Sequence, residues 1–357
     1  MTLEQLAGVG LMLLFLADIF LTVLYARAGT GLLAVHWNRM VWLGMKGLAQ
    51  CFGRRRAMVL SLAGPLIVIL LIAFWSLGLT IGAALIVRPE LGTAIRPSSG
   101  GTPTDLATAM LVAGNSLSIV GGGNYAPYTT GTRLLYLLNS LIGASVLSLV
   151  LSYLVQVYSA LRDRNALALT IDLMTDGTGD AAQMLARLMP SGDSGGATSE
   201  LGNLVRSLAA TKEAHHFYPL LFYFRFEDPR YAVSRFSFVL LDLTALIAAA
   251  LDQRRYATLI DSASAASLSR GALLLLETLD KNVPATSRQS DETGRDWLHR
   301  QSYGAATGIL MRNGIAVEPD GVERYAVTRA DWEPLVRRVA PSLGFTLEEI
   351  DRRRRLP

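Results

Sequence analysis

Leu106-Ala107-Thr108-Ala109-Met110-Leu111-Val112-Ala113-Gly114-Asn115-Ser116-Leu117, followed by Ser118-Ile119-Val120-Gly121-Gly122-Gly123-Asn124-Tyr125-Ala126-Pro127, is the stretch on which the fold turns. Its first part is apolar but too short to cross a hydrocarbon core, which takes about 20 helical residues. Thr104-Asp105 in front of it offers helix N-cap chemistry, because a short side-chain oxygen accepts from an unbonded amide of the first turn. Its second part is glycine-rich and reads as extended. Backbone of this kind between two long apolar runs cannot stay unpaired in lipid, so it has to line a protein-enclosed or watery path. Glycine tolerates backbone angles of either sign, which lets successive carbonyls turn toward one axis.

Outward from this segment the chain alternates between membrane-like and water-like composition. Ala57–Val87 is uncharged and follows Arg54-Arg55-Arg56, with Gly64-Pro65 near its start as a place to bend. Leu134–Leu161 carries only serines, Asn139, Gln156 and tyrosines among its apolar residues and stops at Arg162-Asp163-Arg164. Leu6–Tyr25 is a third run, interrupted by Asp18 and Thr22. Ala26-Arg27-Ala28 resembles a signal cleavage site, but the acidic start Met1-Thr2-Leu3-Glu4-Gln5 and the length of the run favour a retained helix. An acid such as Asp18 inside an apolar span has either a functional role or a structural hydrogen bond to a neighbouring helix. Beyond Arg162 charged residues recur every few positions, which sets the main domain boundary.

Basic residues orient the chain. Arg27, Arg39, Lys46 and Arg54-Arg55-Arg56 lie between the first two runs with no acid among them, whereas Arg88 and Arg96 are set against Glu90 and Asp105. The first connection and the C-terminal half are therefore expected in the cytoplasm, with the N-terminus and the loop 88–130 outside. Val35 to Leu48 interleaves apolar and basic residues and reads as an amphipathic helix at the headgroups, or as a plain connector.

Residues 57–161 resemble the two-helix pore-loop potassium-channel family, whose filter reads Thr-Val-Gly-Tyr-Gly and then an acid. In register, Ile119 takes the threonine position, Val120 the valine, and Gly121 and Gly123 the two glycines. Gly122 replaces the aromatic, Asn124 the acid, Ser118 precedes the filter, and Pro127 stands where the family often has a proline. Gly143 falls near the family's inner-helix hinge glycine. The resemblance implies a homotetramer conducting monovalent cations, potassium above all, through rings of backbone carbonyls at 119–123. It implies no bound cofactor and no metal site. Ile119 supplies no hydroxyl ring, and Gly122 cannot pack against the pore helix as the aromatic does, so potassium selectivity is the property most exposed to these departures. The other reading is a non-conducting membrane scaffold or sensor that keeps the channel architecture. Asn139, Ser145, Ser148 and Ser152 either line the pore or mediate ordinary helix packing.

Residues 162–357 read as a helical cytoplasmic domain. Ala166–Met189 has helical spacing broken at Thr175–Asp180, and Pro190–Gly196 is a loop. Phe217–Phe226 and Phe236–Leu251 read as core helices, Thr286–Asp296 as a polar connector, Gly314–Thr328 as a hairpin around Pro319-Asp320-Gly321, and Trp332–Ala340 as a helix. The tail Arg352-Arg353-Arg354-Arg355 reads as a solvated basic end.

The whole is an all-α membrane fold: three transmembrane helices with a re-entrant pore loop, plus a mainly helical cytoplasmic domain with a small C-terminal α+β element. Its parts are an N-terminal helix (1–28), a basic amphipathic connector (29–56), a pore domain (57–161) and the cytoplasmic domain (162–357). The pore domain comprises outer helix 57–87, pore helix 104–117, filter 118–124 and inner helix 131–161. The expected location is the cell membrane, the bacterial inner membrane by the family's example. The net charge of +4 gives nucleic-acid binding no support. One cysteine, Cys51, leaves no internal disulfide framework. No Gly-x-Gly-x-x-Gly after a strand and no Walker lysine motif occurs, and the adjacent His215-His216 point about 100° apart on a helix, which does not suit a shared metal. No nucleophile–base pair argues for an enzyme.

Overall fold

The computed structural model describes residues 2–25, 31–121, 123–281 and 295–351. Their chain is helical almost throughout and divides into two compact units, Met1–Leu43 with Pro65–Tyr158 and Gly44–Gly64 with Ser159–Pro357. Among the described residues five helical stretches are long and apolar enough to cross a membrane: Leu3–Leu24, Arg56–Glu90, Thr130–Met174, Val233–Ala250 and Ala257–Asp280. The cleavage-like Ala26-Arg27-Ala28, the polar connector up to Gly294 and the basic tail lie outside the described residues.

In the first unit, α1 (Leu3–Ile19) opens with a capping box between Thr2 and Gln5 and continues as a π-helical stretch, Phe20–Leu24. The amphipathic stretch is helical, α2 (Ala34–Gln50), and supplies residues to both units. After α3 (Arg56–Ser61), the bend expected at Gly64-Pro65 appears as a break at Leu62. There α4 (Ala63–Val87) begins, with Pro65 in a first turn that does not use its missing amide hydrogen.

Helices α1 and α4 approach each other through glycine. A Cβ at Gly8 would lie 2.6 Å from the Gly82 carbonyl oxygen, and one at Gly78 only 2.2 Å from the Phe15 ring. Gly78 and Gly82 have the four-residue spacing that lets membrane helices approach closely. Asp18 is fully buried, and it accepts from the amides of Leu33 (2.7 Å) and Ala34 (3.2 Å) and from Trp75 Nε1 (2.8 Å). One carboxylate therefore caps α2 from a distance and pins it to α1 and α4, the structural role that the sequence left open for it.

The third long run does not stop at Leu161. Helix α6 (Thr130–Met174) passes through Arg162-Asp163-Arg164 unbroken, because these charges interrupt hydropathy but not helix propensity. It ends at Gly177, whose φ is +72° and whose amide bonds the Asp172 carbonyl at 2.8 Å. Between α4 and α6 lies the short helix α5 (Leu106–Leu117).

The second unit follows with α7 (Ala181–Leu188), α8 (Ala197–Phe217), α9 (Val233–Ala250), α10 (Ala257–Ile260), α11 (Ala263–Asp280), α12 (Arg295–Arg312), α13 (Val322–Ser342) and α14 (Leu347–Ile350). Its centre is α9, buried along almost its whole length between α11 and α13. Phe217–Phe226 is not a core α-helix. Pro219 ends α8 by biasing Tyr218 out of helical angles (φ −122°, ψ 78°), and Pro219–Tyr223 forms a buried 3₁₀ turn. Nor do the described residues form a C-terminal hairpin or α+β element. Val317 makes one isolated antiparallel bridge to Leu251, and Gly321 leads directly into α13. The residues after Gly321 bury Tyr325, Arg329, Trp332 and Val336, a 3.6-residue period that overrides the turn signal.

α13 holds a buried ionic cluster. Arg329 bonds Glu333 Oε2 (3.0 Å), the Tyr325 hydroxyl (2.8 Å) and Asp351, and Tyr325 donates to Asp242 Oδ1 at 2.6 Å. His299 Nε2 lies 2.7 Å from Glu333 Oε2, and Arg337 Nε donates to its other oxygen at 3.0 Å. Burial alone would raise the Glu333 carboxyl, but the His299 hydrogen bond and the charges of Arg329 and Arg337 outweigh it and hold the group well below its usual range.

Two outcomes follow from these two nodes. Asp18→Ala leaves three buried donors unpaired at about 1–3 kcal/mol each, so thermal unfolding of the detergent-solubilised protein drops clearly, and less in Asp18→Asn, which keeps one acceptor oxygen. For Glu333 the folded value lies below the unfolded one, so its contribution is complete above pH 4.5 and is lost as pH falls. Glu333→Gln is expected to cost about 3–5 kcal/mol at pH 7 and to flatten the acid dependence, read by circular dichroism during denaturant unfolding.

Candidate functional site

Helix α5 spans Leu106–Leu117, twelve residues between α4 and α6. Asp105 is its N-cap, accepting the Thr108 amide at 2.9 Å on Oδ1 and the Thr108 hydroxyl at 2.8 Å on Oδ2. Ala109, Val112, Ala113 and Ser116 form its buried face, and the first three pack with Met12 of α1 and Ala83 and Ala84 of α4.

Two contacts fix the C-terminal end of α5 to α6. Asn139 Nδ2 donates to Ser116 Oγ at 2.9 Å, with both residues buried, and Ser116 Oγ in turn donates to the Ala113 carbonyl at 2.8 Å. Four residues further along α6, Gly143 faces the last residue of α5, and a Cβ there would sit 1.8 Å from the Leu117 carbonyl oxygen. α6 is unbroken at Gly143, so this glycine has a packing use of its own in addition to any hinge role. Asn139 thus faces the half-helix, whereas Ser145, Ser148 and Ser152 lie on the exposed side of α6.

The backbone after α5 is not uniformly extended. Ser118 leaves the helix with extended angles, but its hydroxyl accepts the Val120 amide at 3.2 Å and its carbonyl accepts the Gly121 amide at 3.3 Å. Residues 118–121 close a turn because the serine offers both acceptors to the amides that follow it. Gly121 has φ +61° and Gly123 φ +114°, left-handed angles that favour glycine. Gly123 is constrained a second time, since a Cβ there would lie 2.6 Å from Asn115 Nδ2 of α5. Val120 is 91% exposed and Ile119 60% exposed. Asn124 is exposed too, and Gly122 lies outside the described residues.

The chain then returns through β2 (Tyr125–Pro127), which pairs antiparallel with β1 (Ile95–Pro97), Arg96 opposite Ala126. The Tyr128 amide bonds the Ala94 carbonyl at 2.9 Å, and the Arg96 guanidinium sits 4.6 Å from the Tyr128 ring centroid. This clasp, with Asn115 and Ser116, is the part of the site that the sequence did not reveal. Its strands are three residues long and proline-containing, below what a periodic pattern can mark. Asn115 and Ser116 are polar residues ending an apolar run, and that was the available signal.

Chemically, 118–124 offers backbone carbonyls, one hydroxyl and one carboxamide, with no acid, base or thiol. Among the described residues no group of three or more His, Cys, Asp and Glu side chains could hold a metal ion. The segment thus offers backbone and side-chain dipoles and no titratable side chain.

No protein-family model matches the chain, and no curated protein and no solved structure matches it either. The site therefore stands on its own geometry.

The Gly143 contact gives a direct comparison. Gly143→Ala drives a methyl group into the Leu117 carbonyl and should cost about 1–3 kcal/mol or more. Gly131→Ala, on the same helix with nothing within 4 Å of the added carbon, should be neutral or slightly stabilising in the same thermal-unfolding assay.

Proposed function

We propose that the chain is one subunit of a homotetrameric membrane channel for monovalent cations, potassium foremost, with four copies of 118–124 around a common axis. The observation that carries this is α5. A capped half-helix too short to span is held at its C-terminal end by Asn139 and Gly143, and it delivers a segment with left-handed glycines at 121 and 123. A single copy cannot enclose an axis, so closure requires symmetry. The exposed side of α6, with Leu137, Leu141, Ser148, Leu151 and Val155, supplies the surface that copies would share or that would line the path.

The layout proposed has three crossings: α1, α4 and the first part of α6. α6 is roughly 68 Å long at 1.5 Å per residue and outruns a hydrocarbon core, so its C-terminal part extends into water. Arg88 pairs with Glu4 at 3.0 Å, and Gln5 bonds Glu90 at 3.1 Å. These bonds bring the start of α1 beside the end of α4, as expected if both face outward. α9 is apolar enough to span, but 94% of its apolar window is already covered by protein, which favours a soluble core. The C-terminal half is then cytoplasmic.

A second reading is favoured by the Ser118–Gly121 turn, which bonds the Gly121 amide back to the residue before the filter and so closes the segment on itself. A protein with that turn fixed would keep the channel architecture as a scaffold or sensor without passing ions.

Flux through purified protein in liposomes separates the two. The channel reading expects potassium flux exceeding sodium flux, abolished in Gly121→Val because a β-branched residue at φ +61° costs about 1–3 kcal/mol in every copy. An inactive parent protein would leave the scaffold, and undiminished flux in Gly121→Val would exclude this segment as the path.

A further inference from the structure

The second unit buries an arginine that no carboxylate among the described residues pairs with. Arg164, on α6, is 2% exposed. Its Nη1 donates to the Leu221 carbonyl and its Nη2 to the Phe224 carbonyl, each at 3.1 Å, while Nε has no partner among the described residues. The Phe226 ring lies 5.8 Å from the guanidinium. Taking a cation out of water without a counter-charge is costly, and two neutral carbonyls offset only part of that cost.

Arg164 lines a small cavity with His215, Arg225, Phe226, Tyr231 and Phe345 among its walls and no acidic residue in them. His215 and Arg225, which line it, each carry a further buried nitrogen without a partner among the described residues, Nε2 and Nε. Arg225 donates through Nη1 to the Ala57 carbonyl at 3.1 Å and stacks on Phe345 at 4.4 Å. Glu349 and Glu227 act on it only from beyond ion-pair distance. Burial, reinforced by the Arg164 charge, pushes His215 down to about 3, so its ring is neutral and donates from one nitrogen. The cavity has room for one occupant of about water size, about 10 Å³ for its centre. That is too small for phosphate, sulfate or a carboxylate, and a monatomic ion is the anion nearest to it in size.

We propose that this cavity binds a single halide-class anion, chloride under cellular conditions, held by the N–H groups of Arg164 Nε, Arg225 Nε and His215 Nε2. The bound ion supplies the counter-charge that the protein withholds. It also ties the C-terminal stretch of α6 to α8 and to the 3₁₀ turn at Pro219–Tyr223, so occupancy stabilises the second unit by mass action. The inference concerns the second unit alone and stands or falls independently of ion flow through the first.

Thermal unfolding of the purified full-length protein is compared in sodium chloride, sodium bromide and sodium gluconate at one ionic strength. A halide site predicts a saturable rise of about 2–4 °C in the two halides over gluconate, a counter-ion too large to enter. Arg164→Gln should remove the difference; a difference that persists in that variant overturns the assignment. Because Arg164→Gln removes two carbonyl contacts as well and can compromise folding, the deciding measurement uses the native protein. Crystals grown in bromide should show an anomalous peak in the cavity beside Arg164 Nε. Equal unfolding temperatures in all three salts, or density in the cavity with no anomalous signal, would show that it holds water and overturn the proposal.

Discussion

A helix leaves its last carbonyls without partners inside it, and the first unit is arranged around that constraint at the end of α5. α5 is twelve residues long, too short to cross a hydrocarbon core, and the chain turns directly after it. Gly143 lets the α6 backbone come up against the Leu117 carbonyl, and Asn139 brings a carboxamide onto Ser116 one residue earlier. The glycine loop beyond depends on these two contacts for its position. The β1–β2 clasp holds the other end of the loop, so the eleven residues from Leu117 to Pro127 are anchored on both sides.

The same economy recurs in the packing of α1 and α4. Helices in an apolar medium gain little from burying more apolar surface, so contact has to come from close approach and from polar bonds. Gly8, Gly78 and Gly82 provide the first, and Asp18 the second. Asp18 also shows why an acid in an apolar span need not be a site: three donors converge on it, from Leu33, Ala34 and Trp75, which leaves little capacity for a ligand. The second unit follows different rules. Its central helix is apolar enough for a membrane span but is wrapped by protein, and charges are buried and paired beside it around Arg329. Arg164 breaks that pattern.

Much of this was legible from local chemistry. The half-helix followed from an apolar run too short to span, and its start from Thr104-Asp105, with Asp105 the actual cap. Central α9 followed from an apolar run interrupted by Arg235 and Asp242, charges a membrane span would not carry unpaired. What misled was local signal overridden from outside. Pro319-Asp320-Gly321 is turn chemistry, yet the period of the residues behind it buries a helix against α9. Phe217–Phe226 is apolar enough for a core helix, yet Pro219 denies it the backbone. Arg162-Asp163-Arg164 ends a hydropathic run but not a helix. The Ser118 turn was invisible because it depends on one hydroxyl and one carbonyl accepting from amides two and three residues on, a choice that glycine-rich sequence permits without dictating.

Whether four half-helices converge is the point on which the rest hangs, and cryo-electron microscopy of the full-length protein in lipid nanodiscs addresses it without an assay of function. A channel subunit predicts four-fold particles in which the C-terminal ends of α5 point at the axis and residues 118–124 surround it. Particles that are monomeric or two-fold, or four-fold with α5 directed away from the axis, would contradict it.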